Sequence, residues 1–173
     1  DAILPFYKRN ELKKIIKDYN INIIIGAAGY YSMLLGSISN STSCFTIGWQ
    51  LNSYKAYFET KRKYLWHQKL LFENTIKSLD KYVVLNEVDQ KELLDNMNIN
   101  STVIYNPKTY YSKKKSLLTN NKFIAAGHLW QGKGFDLLLE SFSIFCKTND
   151  SWILDIYGVG PEEKKLRELS KML

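Results

Sequence analysis

The chain has 173 residues, of which 45% are hydrophobic and 14% aromatic, and this composition excludes general disorder because a core can form. The net charge of +7 favours anionic partners, namely nucleotides, nucleic acid or an anionic membrane face. Cys44 and Cys146 lie far apart without metal-binding spacing, so we expect two buried free thiols and no metal site. No apolar run is long enough to span a bilayer, and we expect a cytoplasmic protein.

Strand and helix patterns alternate along the first 107 residues. The β-branched run at Ile21–Ile25, closed by Gly26, predicts a strand covered on both faces. The further predicted elements are a helix at Ala27–Leu35, a strand at Cys44–Trp49, a long helix at Tyr54–Leu79, a strand at Tyr82–Leu85, a helix capped by Asn86 that runs to Met97, and a strand at Thr102–Tyr105.

The long helix is predicted from apolar pairs that recur every seven residues. The pairs are Tyr57/Phe58, Tyr64/Leu65 and Leu71/Phe72. The Tyr54–Phe72 part of this helix also carries tyrosines and five basic residues, Lys55, Lys61, Arg62, Lys63 and Lys69. Two interpretations stay open: a core helix with a basic outer face, or a basic amphipathic helix that lies on an anionic membrane.

The segment 108–121 contains a lysine run and no apolar period, which predicts an interdomain linker. Residues 1–107 then belong to an N-terminal domain, and residues 122–173 begin a C-terminal one. In the second part we expect a strand at Phe123–Ala126, a helix at Phe135–Cys146, a strand at Trp152–Tyr157, and a helix that starts at Pro161 and contains a Glu163/Arg167 pair.

Alternating strands and helices predict a mainly parallel α/β sheet, whose ligands bind at the carboxyl ends of the strands. The turn Gly127–Gly134 occupies such an end and leads into a helix. Free backbone N–H groups, the positive end of the helix dipole and Lys133 together suit a phosphate. A glycine-rich turn without a ligand stays an open alternative, because this turn matches neither common nucleotide-binding fingerprint.

The turn and the segment that follows it resemble the retaining GT-B glycosyltransferases of family 4 (group 1), which use nucleotide-diphosphate sugars. Their pattern of a glycine, an arginine, a leucine and then lysine-glycine before a helix is matched, except at the arginine, by Gly127, Leu129, Lys133, Gly134, Phe135 and Asp136. Their later strand ending in G-x-G-P is matched by Gly158, Gly160 and Pro161. The segments Gly48–Tyr54, Tyr82–Asn86 and Val103–Pro107 resemble the family more loosely.

The resemblance implies an α/β enzyme of the GT-B type with two Rossmann-like parallel-sheet domains, both only partly present in this chain. It places the donor, a UDP-, GDP- or similar nucleotide sugar, at Gly127, His128, Lys133 and Gly134, and it implies no metal or other cofactor. His128 stands where the family has an arginine. A protonated imidazole replaces that charge in part, and a histidine without a ligand is the alternative.

Many members carry a histidine where this chain has Leu51, which leaves Asn52 and Tyr54 as weak candidates for the acceptor side. Packing within the loop is the alternative explanation for both residues. The family's catalytic glutamate pair is expected beyond Leu173, so we assign no catalytic residue and expect this segment alone to be weak or inactive.

The expected reaction is transfer of a hexose, with retention, to a glycan or lipid-linked acceptor in bacterial cell-surface polysaccharide synthesis. Peripheral contact with the inner face of an anionic membrane through Tyr54–Phe72 is a further expectation. Two other functions stay open: a degenerate, non-catalytic GT-B scaffold, and a phosphate- or nucleic-acid-binding α/β module. The sequence contains no nucleic-acid-binding motif, so we expect no nucleic-acid partner.

Overall fold

The computed structural model describes residues 6–60, 64–65, 67–108 and 111–173. The chain divides into two compact units, residues 1–109 and 110–173, and the division falls within the predicted linker. Each unit is described by itself below.

The first unit contains a four-stranded parallel sheet in the order β1-β2-β3-β4. Its elements are α1 (Phe6–Asp18), β1 (Ile23–Ala27), α2 (Gly29–Gly36), β2 (Phe45–Trp49), α3 (Tyr54–Phe58), α4 (Lys69–Ile76), β3 (Lys81–Val84), α5 (Glu87–Met97) and β4 (Thr102–Val103). The Asn86 side chain accepts the N–H of Asp89 at 2.9 Å, which confirms the predicted cap of α5. A short 3-10 turn at Ser39–Ser41 follows α2.

Two apolar clusters form the core of this unit. The larger one combines residues from four helices, one strand and the connecting segments: Met33, Tyr54, Tyr57, Leu65, Phe72, Ile76, Tyr82, Val84, Leu93, Met97 and Ile99. The smaller one joins α1 to α2 and contains Ile16, Leu35, Ile38 and Cys44. Cys44 is therefore buried as predicted, whereas Cys146 is only partly buried, and both thiols are free.

The prediction that the first strand is covered on both faces is wrong. β1 lies at the edge of the sheet, and Ile23 and Ile25 are 59% and 52% exposed. Ile24 points to the opposite face and packs against the smaller cluster, as the alternation of side chains along a strand requires. Phe45 is paired with Ile23 and is also exposed, so one face of the β1–β2 pair is apolar and open.

The prediction of one long helix from Tyr54 is also wrong. α3 ends at Phe58, where Glu59 leaves the helical conformation, and α4 begins only at Lys69. Between them the chain returns to the core, because the N–H of Leu65 donates to the carbonyl of Tyr57 at 3.1 Å. The basic residues 61–63 lie outside the described residues, and the amphipathic Tyr54–Phe72 helix expected to contact a membrane does not form.

Asp80 joins the start of β3 to β2. Its carboxylate accepts the N–H of Thr46 at 2.8 Å and the Thr46 hydroxyl at 2.7 Å, and these two bonds lower the pKa of Asp80 below its ordinary value. Because the folded-state pKa lies below the unfolded one, the carboxylate stabilises the fold above about pH 4 and loses this effect as pH falls.

We expect Asp80→Asn to lower the free energy of unfolding by about 1 kcal/mol at neutral pH. This value already allows for the solvent exposure of the carboxylate, which weakens its interactions. The difference from the parent chain should shrink as the pH falls through the folded-state pKa. Urea unfolding at several pH values measures it, with Asp95→Asn on α5 as the matched control. An equal, pH-independent loss in both variants would contradict this role of Asp80.

The second unit contains the parallel pair β5 (Lys122–Ala126) and β6 (Ile153–Tyr157), with the helices α6 (Phe135–Cys146) and α7 (Glu163–Met172). Its core consists of Leu129, Phe135 and Leu166, with partly buried residues of both strands and of α6 around them. Phe123 and Trp152 stack at 4.9 Å at the start of the strands. The predicted Glu163/Arg167 ion pair forms at 2.9 Å, whereas Pro161 precedes α7 rather than starting it.

Among the described residues, the structure contains no helix that is both long and apolar enough to cross a bilayer.

Candidate functional site

The turn from β5 to α6 is anchored to the end of β6. The N–H of Gly127 donates to the carbonyl of Tyr157 at 3.0 Å, and the N–H of Leu129 donates to that of Val159 at 2.9 Å. The Leu129 side chain is buried against Phe135 and Leu166. The first residues of the turn therefore have one fixed path above the carboxyl ends of the two strands.

Two glycines after β6 make this close approach possible. A Cβ atom on Gly158 would lie 1.9 Å from the carbonyl oxygen of Gly127, and one on Gly160 would lie 2.3 Å from that of Leu129. The Leu129 carbonyl also accepts the N–H of Glu162 at 3.0 Å. Any side chain at these two positions would separate the turns, because both neighbouring atoms belong to the backbone.

The second half of the turn prepares the start of α6. Gln131–Lys133 form one 3-10 turn, in which the N–H of Lys133 donates to the carbonyl of Trp130 at 3.0 Å. Gly134 has a φ of 69°, a left-handed conformation that glycine adopts without strain. No side chain caps α6, so its first N–H groups are available to an external acceptor.

The polar side chains of the turn face solvent. His128 and Lys133 are exposed, and Trp130, between them, is 40% exposed. Lys133 forms no ion pair with any described carboxylate. Asp136 lies in the first turn of α6, where its charge is favoured by the helix dipole and offsets part of the positive potential. The site thus offers one ammonium group, one imidazole and a helix N-terminus.

The structure brings the four predicted donor-side residues together. Gly127, His128, Lys133 and Gly134 belong to this one turn, whose path is fixed at both ends. Their role in binding a diphosphate stays a prediction.

The two predicted acceptor-side residues have different surroundings in the first unit. Asn52 is exposed in the loop after β2. Tyr54 is only 1% exposed and belongs to the larger core cluster, which contradicts its place among the acceptor-side candidates and agrees with the packing alternative. Ser53 caps α3 by accepting the N–H of Ala56 at 3.2 Å, and the helix that starts there directs Tyr54 inward.

Sequence reasoning missed a second polar junction, at the carboxyl ends of β1 and β2. The buried Tyr57 hydroxyl accepts the N–H of Gly29 at 2.9 Å and also interacts with Asn52. Burial raises the pKa of Tyr57, which keeps the phenol neutral. Ala28 has a φ of 69° and a ψ of 164°, a conformation nearly restricted to glycine, and its N–H donates to the Trp49 carbonyl at 2.8 Å.

A neighbouring buried pair continues this junction toward β3. Tyr82 donates its hydroxyl to Oε1 of Gln50 at 3.2 Å, and burial raises the pKa of Tyr82 well above its ordinary value. The Nε2 of Gln50 has no hydrogen-bond partner among the described residues. The helical period around Tyr57 indicated only a core residue, so no sequence signal identified this polar role.

Among the described residues, no group of three or more His, Cys, Asp or Glu side chains is placed to hold a metal ion.

Comparison with known proteins gives one sequence relative and several solved structures. No protein-family model matches the chain. An uncharacterized glycosyltransferase of Haemophilus influenzae is 27% identical over 169 residues, an alignment that covers 94% of this chain and 45% of the relative. The chain therefore spans less than half of that protein.

Several solved structures are similar to this chain, among them an O-GlcNAc transferase. TarM matches with a TM-score of 0.70 and 20% identity, over 96% of this chain and 32% of TarM. The pneumococcal O-GlcNAc transferase GtfA, in complex with UDP and GlcNAc, matches with a TM-score of 0.65 and 18% identity, over 95% of this chain and 35% of GtfA. A mutant of S. aureus TarM, in complex with Fondaparinux, alpha-GlcNAc-glycerol and UDP, gives a TM-score of 0.64 at 19% identity, over 96% of this chain and 33% of that protein.

The fold is α/β of the GT-B type. The chain covers about a third of each of these structures, so the likeness concerns a part of that architecture. At these identities the comparison shows the fold and leaves the chemistry to the residues of the site.

Proposed function

We propose that the chain is part of a retaining glycosyltransferase that moves a hexose from a nucleotide-diphosphate sugar to a glycan or lipid-linked acceptor. In this proposal residues 122–173 form the first part of the donor domain and residues 1–107 part of the acceptor domain, with 108–121 as the linker. A role in bacterial cell-surface polysaccharide synthesis belongs to the same proposal. The observation that carries it is the β5–α6 turn.

Three properties of that turn support diphosphate binding. The uncapped N-terminus of α6 supplies backbone donors and a partial positive charge. Lys133 adds a full charge that no described carboxylate neutralises. The packing of Gly158 and Gly160 against the turn fixes these donors before a ligand arrives, which lowers the entropic cost of binding.

The same groups have a chemical role when the glycosidic bond of the donor breaks. Negative charge then builds up on the departing nucleotide diphosphate. Lys133 and the helix N-terminus stabilise this charge more strongly in the transition state than in the ground state, and such a difference accelerates the reaction. His128 contributes a hydrogen bond or, when protonated, a second charge.

His128 also motivates a second candidate function. An imidazole lacks the permanent charge and the forked geometry of a guanidinium group. A non-catalytic GT-B scaffold that binds a nucleotide sugar weakly, or binds only a partner protein, is therefore the alternative. The variant His128→Arg should tighten UDP or GDP binding if the turn holds a diphosphate, and it should have no effect in a scaffold without a donor site.

The test is calorimetric titration of the chain with UDP, GDP and pyrophosphate. We expect saturable binding that Lys133→Ala weakens by about tenfold or more, as the loss of a charge-assisted hydrogen bond does. Lys164→Ala is the matched control, because it removes the same charge from an exposed position on α7 of the same unit. Pyrophosphate probes the phosphate contacts without any contribution from the base.

The two variants separate a site from a general charge effect. Equal weakening by Lys133→Ala and Lys164→Ala, together with a strong salt dependence, would contradict the proposed site and favour a polyanion-binding module. Binding of UDP but not GDP, or the reverse, would identify the base that the protein accepts.

A further inference from the structure

The segment 111–118, hereafter the basic linker segment, is exposed along its whole length. It forms neither helix nor strand, and each of its residues faces solvent. Leu117 and Leu118, at 84% and 88% exposed, are the most exposed large hydrophobic residues that the structure describes, and Tyr111 is 81% exposed. Two adjacent leucine side chains this exposed form an apolar surface, and contact with a partner would remove that surface from water.

The charge around this segment has one sign. Between Asp95 and Asp136 the sequence contains six lysines and no aspartate or glutamate. Three of the lysines, Lys113–Lys115, are consecutive and exposed, and none of them pairs with a described carboxylate. A cationic cluster therefore lies directly beside the apolar pair Leu117 and Leu118.

Local hydrogen bonds give the segment a defined shape. The N–H of Lys114 donates to the Ser112 hydroxyl and the N–H of Leu118 to the Ser116 hydroxyl, both at 3.2 Å. Leu118 has a φ of 56°, which large apolar residues rarely adopt. The two leucines are thus exposed in a turned segment, beside the lysines.

We propose that the basic linker segment binds the surface of an anionic lipid bilayer. The ammonium groups of Lys113–Lys115 contact the phosphates of the headgroups, while Leu117 and Leu118 enter the boundary between headgroups and acyl chains. Tyr111 suits the same boundary, because its ring is apolar and its hydroxyl polar. Long lysine side chains reach the headgroups even when their backbone lies deeper.

A bilayer fits the segment better than a nucleic acid does. Both partners would neutralise the lysines, but a phosphate backbone in water offers no place to bury two aliphatic side chains. The lipid surface accounts for the lysines and the leucines together. This inference is independent of the proposed transferase reaction, and it places membrane contact at the linker instead of the Tyr54–Phe72 stretch.

The test is co-sedimentation of the 173-residue chain with vesicles of phosphatidylcholine alone or mixed with phosphatidylglycerol. We expect binding to the anionic vesicles only. The triple variant Lys113→Gln, Lys114→Gln and Lys115→Gln should weaken it by about a hundredfold, since each lysine near an anionic surface contributes about fivefold. The control removes three lysines from α7 through Lys164→Gln, Lys165→Gln and Lys171→Gln, and should retain most of the binding.

The pair Leu117→Asn and Leu118→Asn tests insertion separately from charge. Asparagine accepts the left-handed backbone at position 118, so the turn should persist. We expect about tenfold weaker binding to anionic vesicles and unchanged binding to soluble polyphosphate. Absence of vesicle binding by the parent chain, equal losses in the two lysine variants, or no effect of the leucine pair would each overturn the proposal.

Discussion

Gly160→Ala is expected to destabilise the second unit by about 3 kcal/mol or more. The added Cβ would meet the Leu129 carbonyl oxygen at 2.3 Å, and that oxygen belongs to a backbone that hydrogen bonds hold on both sides of the residue. Neither turn can retreat without breaking the bond from Glu162 to Leu129 or the one from Leu129 to Val159. Amide hydrogen exchange across β5, β6 and α7 should therefore accelerate.

The control is Gly127→Ala, in the same pair of turns. Its Cβ would lie 3.4 Å from the Phe135 ring, an ordinary contact distance, and its conformation does not require glycine. We expect its exchange rates to stay close to those of the parent chain. Comparable acceleration in both variants would mean that the close approach of the two turns is not what limits substitution at Gly160.

Phe72→Ala is expected to lower the free energy of unfolding of the first unit by about 4 kcal/mol. Phe72 has no exposed surface, and its ring contacts those of Tyr57, Phe58 and Tyr82 at centroid distances of 5.3 to 6.0 Å. Removing the ring leaves a cavity between elements that come from distant parts of the chain, and these cannot all move inward. Chemical unfolding followed by circular dichroism measures the loss.

Leu70→Ala, on the same helix, provides the comparison for this core substitution. Leu70 is 70% exposed, and its replacement should change the free energy of unfolding by less than about 0.5 kcal/mol. Helix α4 keeps its propensity in both variants, because alanine favours helices. Similar losses at positions 70 and 72 would indicate that the helix itself, rather than the aromatic core, limits stability.

The second unit was largely predictable from sequence. The limits of α6 agree with the prediction, and those of β5 and β6 differ by one residue, because strand and helix patterns here are separated by glycines. The four donor-side residues could be grouped because they lie in one turn. Their fixation by Gly158 and Gly160 could not be predicted, since it depends on how closely two backbones pass each other.

In the first unit, the sequence predicted which residues are buried better than it predicted the limits of the helices that carry them. Tyr57, Leu65 and Phe72 are all buried, as the repeat of apolar pairs suggested, yet they reach the core from two short helices and a connecting segment. The apolar period indicates which residues share the interior, but it does not show that α3 ends at Phe58 and that the Leu65 N–H then bonds back to the Tyr57 carbonyl. The exposure of β1 escaped prediction because a β-branched run does not reveal whether a covering layer exists.

The position of Trp130 gives the β5–α6 turn a built-in optical reporter. This residue lies between His128 and Lys133, is 40% exposed, and accepts the Lys133 N–H at its own carbonyl. An indole in such a position changes its emission when the polarity around it changes. With the other tryptophans replaced by phenylalanine, fluorescence from this single residue should follow nucleotide association in real time, without any attached dye.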